Sequence, residues 1–383
     1  MWTNLVIMMA MLVLACLATR AKGEALYSEE VVVPRPPGKG GDWPGPIIEL
    51  KDGSLVFVHL VAGDEGGLWA NKSTDAGRTW SEPYLFQAPV GLSGTGIGSL
   101  LRLNNGKILM SEDIQNFGQD MQSPGHDDIH AYTRLSSDEG QTWSYPLCAT
   151  LTPGAWGINN GMLVQLSTGR IILPVETGVP VEGKYWVSMC VYSDNGGYTW
   201  WPSRNYVQIK DSYETGEPHV VELADGRLIM LARTRCGYMA RSYSSDQGET
   251  WSPGELVKDL PASIPSPFAL ERLPTTGDLL CLWCRNPYGA GMAAGEEQPL
   301  LPVGNDMRPR GMVRAPLSSV LSHDDGQTWG QVRDLTHDAP GVYDHYGYPY
   351  VCFVEQGKIA VVNYMSMSGI RLARIDVDWF YGK

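Results

Sequence analysis

Residues 244–251 read SSDQGETW, and the same octapeptide, S-x-D-x-G-x-T-W, returns as STDAGRTW ending at Trp80, SSDEGQTW at Trp143 and SHDDGQTW at Trp329, with a degenerate SDNGGYTW at Trp200. Each copy carries the chemistry of a tight turn. The Asp carboxylate accepts turn amides, Gly supplies a backbone conformation closed to other residues, and Trp packs into the adjacent sheet. Asp75, Asp138, Asp246 and Asp324 are therefore assigned to turn stabilisation and not to catalysis.

Between the octapeptides lies a second repeat, an apolar run, a turn ending in Gly, and another apolar run: IIELKDGSLVFV, SLLRLNNGKILM, MLVQLSTGRIIL, VVELADGRLIML, ALERLPTTGDLLCL and VCFVEQGKIAVV, with turn glycines at Gly53, Gly106, Gly169, Gly226, Gly277 and Gly357. Each reads as a β-hairpin. The first five are each followed by one octapeptide; the sixth is followed by RLARIDVDWF, an outer strand without the turn motif. A hairpin and a further strand pair recurring every roughly 50–80 residues predict a radial β array. The expected fold is all-β, a six-bladed β-propeller of four-stranded antiparallel blades, which leaves no long sheet edge exposed. One such domain fills residues 24–383. The N-terminal YSEEVVV is expected to complete the last blade, and the segment RNPYGAGMAAGEEQPLLPVGNDMRPRG to form an irregular loop on the active face.

Composition agrees, with 44 Gly, 26 Pro, 13 Trp and 18 Tyr for turns and flat strand packing. A formal charge of −13 offers no footprint for phosphate backbones, which excludes nucleic acid as a partner. Residues 1–23 hold an apolar run from Leu5 to Ala18 followed by small and basic residues, the size of a signal-peptide core and short for a membrane span. Removal near Ala21 to Ala25 is expected, giving a secreted or periplasmic protein with no stable membrane span; Cys16 after Val13-Leu14-Ala15 leaves a lipoprotein anchor as the alternative. The other six cysteines are too dispersed for a disulfide framework. Cys281-Leu-Trp-Cys284 has a metal or redox spacing, but positions i and i+3 of a strand face opposite ways, so the pair reads as two buried small hydrophobes. No metal or other cofactor is expected, and the expected state is a monomer.

In such an array the innermost strands line a central funnel, and the repeat becomes a ruler. Nine residues before the hairpin Gly stand Pro44, Ile97, Asn160, Glu217, Phe268 (one residue out of phase) and Tyr348. A Glu and a Tyr aimed at one axis form a base and a nucleophile, the carboxylate drawing the phenol proton so that the oxygen can attack.

The repeats, their spacing and this pair resemble the sialidase (neuraminidase) superfamily of six-bladed propellers over essentially the whole mature chain, the octapeptide being similar to its Asp box. The segment GEPHVVELADGRLIMLARTR is similar to the family's Glu-then-Arg segment. By that resemblance Glu217 activates the tyrosine and Arg233 belongs to a clamp for the substrate carboxylate. GYPYVCFVEQGKIAVVNY matches the Tyr-bearing segment and implies Tyr348 as nucleophile; Arg314, eight residues before the last Asp box, matches another clamp Arg, with Arg310 its competitor. The loop GDEGG implicates Asp64 as catalytic acid, with Glu65 the alternative. The implied activity is a retaining exo-glycosidase on terminal sialic acid or a related acidic sugar of glycoconjugates. Sialidases use Tyr because the anomeric carboxylate repels an anionic nucleophile, and Arg forks bind that carboxylate bidentately.

One departure stands out. The family's first clamp Arg leads into the first hairpin, but here the stretch is GDWPGPIIEL, with Trp43 or Pro44 in that place. Arg35, Lys39, Arg235 or Arg285 are the candidate substitutes. Two alternatives follow, a hydrolase for another sugar such as a uronic acid, and a carbohydrate-binding propeller without turnover. His219, His126, His130 and His345 are read as structural, Asp127 and Asp128 as a weak cation signal, and Asn71-Lys72-Ser73 as a weakly specific glycosylation sequon.

Overall fold

The computed structural model describes residues 27–31, 33–34, 42–61, 68–87, 93–116, 128–152, 154–158, 160–179, 185–210, 212, 214–285, 300–303, 306–309, 312–337 and 343–383. The signal-peptide segment lies outside them.

Regular structure among the described residues is almost entirely β. Strand β1 (Tyr27–Val31) is followed by a sheet of β2 (Asp42–Glu49), β3 (Leu55–Val61), β4 (Leu68–Ser73) and β5 (Tyr84–Gln87). Next come β6 (Ser93–Arg102), β7 (Ile108–Asn116), β8 (Asp128–Ser136) and β9 (Leu147–Cys148), then β10 (Gly154–Gly157), β11 (Val164–Gln165), β12 (Ile171–Val179), β13 (Tyr185–Ser193) and β14 (Trp201–Pro202). These two repeats merge into one sheet, because β10 pairs parallel with β8 and antiparallel with β12. Strands β15 (Thr215–Glu222), β16 (Leu228–Thr234), β17 (Tyr238–Ser244) and β18 (Glu255–Pro261) form a four-stranded sheet, as do β19 (Phe268–Arg272), β20 (Leu279–Cys284), β23 (Leu317–Ser322) and β24 (Arg333–Asp334). Between them β21 (Leu300–Val303) and β22 (Asp306–Pro309) make a two-stranded ribbon. The segment expected to be irregular thus contains regular structure, its alternating Leu-Leu-Pro-Val run pairing with Asp-Met-Arg-Pro. The last sheet holds β25 (Gly347–Val354), β26 (Ile359–Ser366) and β27 (Gly369–Asp376), before a single helical turn, α1 (Val377–Phe380). As the sequence suggested, β1 joins that sheet, antiparallel to β27.

All six anticipated hairpins are antiparallel pairs: β2/β3, β6/β7, β11/β12, β15/β16, β19/β20 and β25/β26. The apolar core lies between successive sheets. Ile229 and Leu231 pack with Leu279, Cys281 and Trp283; the other face of β20 packs Leu280, Leu282 and Cys284 against Val362 and Tyr364. Cys281 and Cys284 therefore serve opposite faces as buried free thiols, and burial pushes the Cys284 thiol up to about 12. Leu55 and Phe57 of the first sheet pack with Val361 and Leu372 of the last.

The octapeptides latch each sheet to the one before. In SSDQGETW, Asp246 accepts from Ser244 Oγ at 2.8 Å, Thr250 N at 2.8 Å and Thr250 Oγ1 at 2.6 Å. Gln247 and Gly248 are both left-handed, at φ 57° and 87°, the conformation that favours Gly. Their backbone turn offers the Gln247 carbonyl to Arg170 Nη1 of the preceding repeat at 3.2 Å. The same link runs from Arg374, in the last sheet, to the Ala76 carbonyl of the first, while Arg241 reaches the Gly326 carbonyl one position further along its turn. In the degenerate copy Asn195 takes the Asp place, accepting from Thr199 N and donating Nδ2 to Thr199 Oγ1 at 2.9 Å. Asp246→Ala is expected to destabilise the fold by about 1–3 kcal/mol, read by urea denaturation, while leaving turnover constants within error; altered kinetics with unchanged stability would contradict the structural assignment.

Candidate active site

At the opposite end of the hairpins from these turns, the inner strands are irregular at the ruler positions. The β15/β16 register slips between Gly216 and His219, and that of β25/β26 between Gly347 and Tyr350. Similar slips occur at Pro44/Ile47 and Ile97/Ser99, whereas Phe268 pairs regularly with Trp283. Glu217, Tyr348 and Asn160 take left-handed φ values of 45°, 49° and 58°. A bulge re-aims a side chain that a regular strand would point along the pleat, and a non-Gly residue in this region persists only when its surroundings hold it.

The result is a tight polar cluster. Tyr348 Oη donates to Glu217 Oε1 at 3.2 Å, and Arg233 Nη1 lies 2.5 Å from the same oxygen. Arg233 Nε donates to Glu214, whose other oxygen takes Arg235 Nε at 2.9 Å. Arg314 Nε donates to the Pro265 carbonyl at 2.9 Å, and its guanidinium stands 6.0 Å from the Tyr348 ring centre. The Trp43 indole, 43% exposed, meets the same ring edge-on at 5.1 Å.

Burial dominates the electrostatics. It pushes the Glu217 carboxyl up to about 7, opposed by Arg233 and Arg314 and reinforced by the charges of Glu176 and Glu214. Burial, then the charge of Glu217, raises the Tyr348 phenol well above its usual range, while Arg233 and Arg314 favour the phenolate. Burial alone would lower Arg233, but Glu217, Glu214 and Glu176 outweigh it and keep the guanidinium firmly charged. A phenol hydrogen-bonded to a carboxylate that titrates near neutrality, with cations beside both, is equipped for proton transfer followed by attack of the phenol oxygen.

The structure thus brings together Tyr348, Glu217, Arg233, Arg314 and Trp43. Asn160 sits deeper, 2% exposed, with its amide donating to the Phe268 carbonyl of another sheet. Asp64, Glu65, Arg310, Arg35, Lys39, His126 and Asp127 lie outside the described residues. Of the substitute arginines, Arg235 is held by Glu214, and Arg285 forms a fork on Asp334 at 2.8 and 2.7 Å. His219 is buried against Phe268, and burial brings it down to about 3; His345 falls equally far through burial and the charges of Arg314 and Arg308. The sequon reading is corrected: Asn71 is buried, its amide donating to Ser81 O at 2.8 Å and Pro34 O at 3.1 Å. Sequence reasoning missed Glu214 and Glu176. The first could have been sought three residues before Glu217; the second is brought in from another repeat.

The BNR repeat-like domain family matches residues 114–361. The chain is 27% identical to a sialidase of Micromonospora viridifaciens over 94% of its own length and 55% of that protein's, and 27% identical to a sialidase of Bacteroides fragilis over 57% and 44%. It therefore spans about half the length of these relatives. Among solved structures it resembles a Dyadobacter fermentans protein of unknown function (TM-score 0.68, 19% identity, 92% of this chain and 99% of that one) and a Trypanosoma rangeli sialidase in complex with sialic acid (TM-score 0.61, 15% identity, 93% and 59%). Octapeptide turns, hairpins and this match over most of the chain place the protein in the BNR repeat-like domain family of the sialidase superfamily.

Proposed function

We propose that the chain is a six-bladed propeller and a secreted, retaining exo-glycosidase that removes terminal sialic acid or a related acidic sugar from glycans. The observation that carries this is the Tyr348 Oη to Glu217 Oε1 hydrogen bond at 3.2 Å, built by two bulges that aim both side chains at one point. In the proposed reaction Glu217 takes the phenol proton as Tyr348 Oη attacks the anomeric carbon. Asp64 protonates the departing glycosidic oxygen. Asp64 then takes a proton from water, whose oxygen displaces Tyr348, and the phenolate recovers its proton from Glu217. Arg233 and Arg314 hold the sugar carboxylate.

A tyrosyl adduct is the expected product of 2,3-difluorosialic acid, a compound held as a covalent intermediate in a Trypanosoma rangeli sialidase structure. Peptide mass spectrometry should place the label on Tyr348. Labelling elsewhere, or none together with no hydrolysis of fluorogenic sialosides between pH 4 and 8, would contradict the proposal. The second reading, a hydrolase for another acidic sugar such as a uronic acid, is favoured by Trp43, which presents an aromatic edge where an arginine was expected. Cleavage of uronides but not sialosides would select it.

A further inference from the structure

Glu176 belongs to β12, 41 residues before Glu217, yet it reaches the reactive cluster. Its side chain is 5% exposed, and its Oε2 accepts the backbone N–H of Glu217 at 2.8 Å. That N–H lies within the bulge, where the β15/β16 register slips, so it needs a partner from outside the strand pair. Glycines clear the path on both sides. A Cβ at Gly216 would stand 2.2 Å from Glu176 Oε2, and one at Gly157 2.9 Å from Oε1. Both are closer than Cβ contacts come, so with the carboxylate in this position Gly157 and Gly216 leave the volume that it fills.

We infer that Glu176 is a positioning residue for the reaction, clamping the Glu217 bulge from the neighbouring repeat and so holding the Glu217 carboxyl where it meets Tyr348. Its own charge also raises the proton affinity of Glu217. The inference deepens the glycosidase reading and rests on it for its kinetic consequence. Glu217 is faced by Glu176 from β12, Glu214 from the residue preceding β15, Arg233 from β16, Arg314 from the segment before β23, and Tyr348 and Tyr350 from β25. Glu176 is the anion among these that touches the Glu217 backbone. Removing its charge while keeping its oxygen leaves the clamp but lowers the proton affinity; removing the oxygen loosens the bulge.

Two substitutions separate the effects. In Glu176→Gln the acid limb of the kcat profile should move down by about half a pH unit or more, with plateau kcat within threefold by order of magnitude, about that of the parent. Glu176→Ala should lower kcat about tenfold or more with KM little changed, because a misplaced base costs the chemical step and not binding. Glu217 titration by carboxyl 13C NMR, assigned by difference with Glu217→Gln, should shift in the same direction in Glu176→Gln. A pH profile and a titration both superimposable on the parent's would overturn the inference, even if Glu176→Ala failed to fold. A shifted titration in a protein that cleaves no glycoside would support the coupling and sink the glycosidase reading; an unmoved titration in an enzyme silenced by Tyr348→Phe would do the reverse.

Discussion

Tyr348→Phe is expected to lower kcat by about 10³-fold or more on any glycoside the protein hydrolyses. The substitution removes one oxygen and leaves the ring between Trp43 and Arg314. Its structural cost is that of the hydrogen bond to Glu217, about 1 kcal/mol, so thermal denaturation should move by only a few degrees by the usual scaling of such losses. KM should change little, since in the proposed reaction the phenol oxygen acts on the anomeric carbon while Arg233 and Arg314 hold the carboxylate of the sugar. Steady-state kinetics with a fluorogenic substrate read the effect. Activity within tenfold of the parent would remove Tyr348 from the reaction and with it the covalent pathway.

Arg233→Leu tests the same site from the other side and should damage both fold and activity. Arg233 touches Glu217 at 2.5 Å and is also paired with Glu214, while all three side chains are largely buried. Removing the cation leaves the buried Glu217 carboxyl facing Glu176 and Glu214, of which Glu214 keeps Arg235, a loss of about 3–5 kcal/mol for a broken buried pair. The effect depends on pH. Glu217, raised to about 7, is largely protonated at pH 5 and charged at pH 8. Destabilisation in urea should therefore be smaller at pH 5 than at pH 8, because a neutral carboxyl needs no partner. Equal losses at both pH values would mean that the Glu217 pair is not what Arg233 contributes to stability. At pH 5, where the fold is better preserved, kcat/KM should still fall by about 10²-fold, the loss of the bidentate charged contact proposed for the sugar carboxylate.

The reach of the sequence followed how local each interaction is. The octapeptide turn closes within eight residues, so Asp246, Gly248 and Trp251 carry their roles on their face, and the hairpin glycines do likewise. Glu217 and Tyr348 were found at long range because repetition supplied a ruler, one position per hairpin. What the ruler does not encode is the bulge. A register slip at Gly216/His219 has no composition of its own, and neither its left-handed Glu217 nor the Glu176 that caps its N–H is visible from spacing. Glu214 escaped for a similar reason, since a carboxylate becomes a clamp for Arg233 only once the strand pairing sets Gly216 opposite Arg233. The ribbon of β21 and β22 was hidden by the Gly and Pro residues around it, which suggested irregular chain on both sides of a short alternating run.

The bulges carry one more consequence, for how such a protein changes over evolutionary time. The stabilising turns sit at the far end of each hairpin, and the exposed Trp43 beside the first slip stands outside the sheet-to-sheet core. The rim of the first slip is therefore an exchangeable socket, unlike the Glu217 slip that Glu176 clamps. Trp43 lies against the slip of the first hairpin, and an aromatic there in place of a cation leaves Ile47, Phe57 and the Asp75 turn undisturbed. A change of residue at that socket would remodel the rim of the cluster without touching the turns or the core.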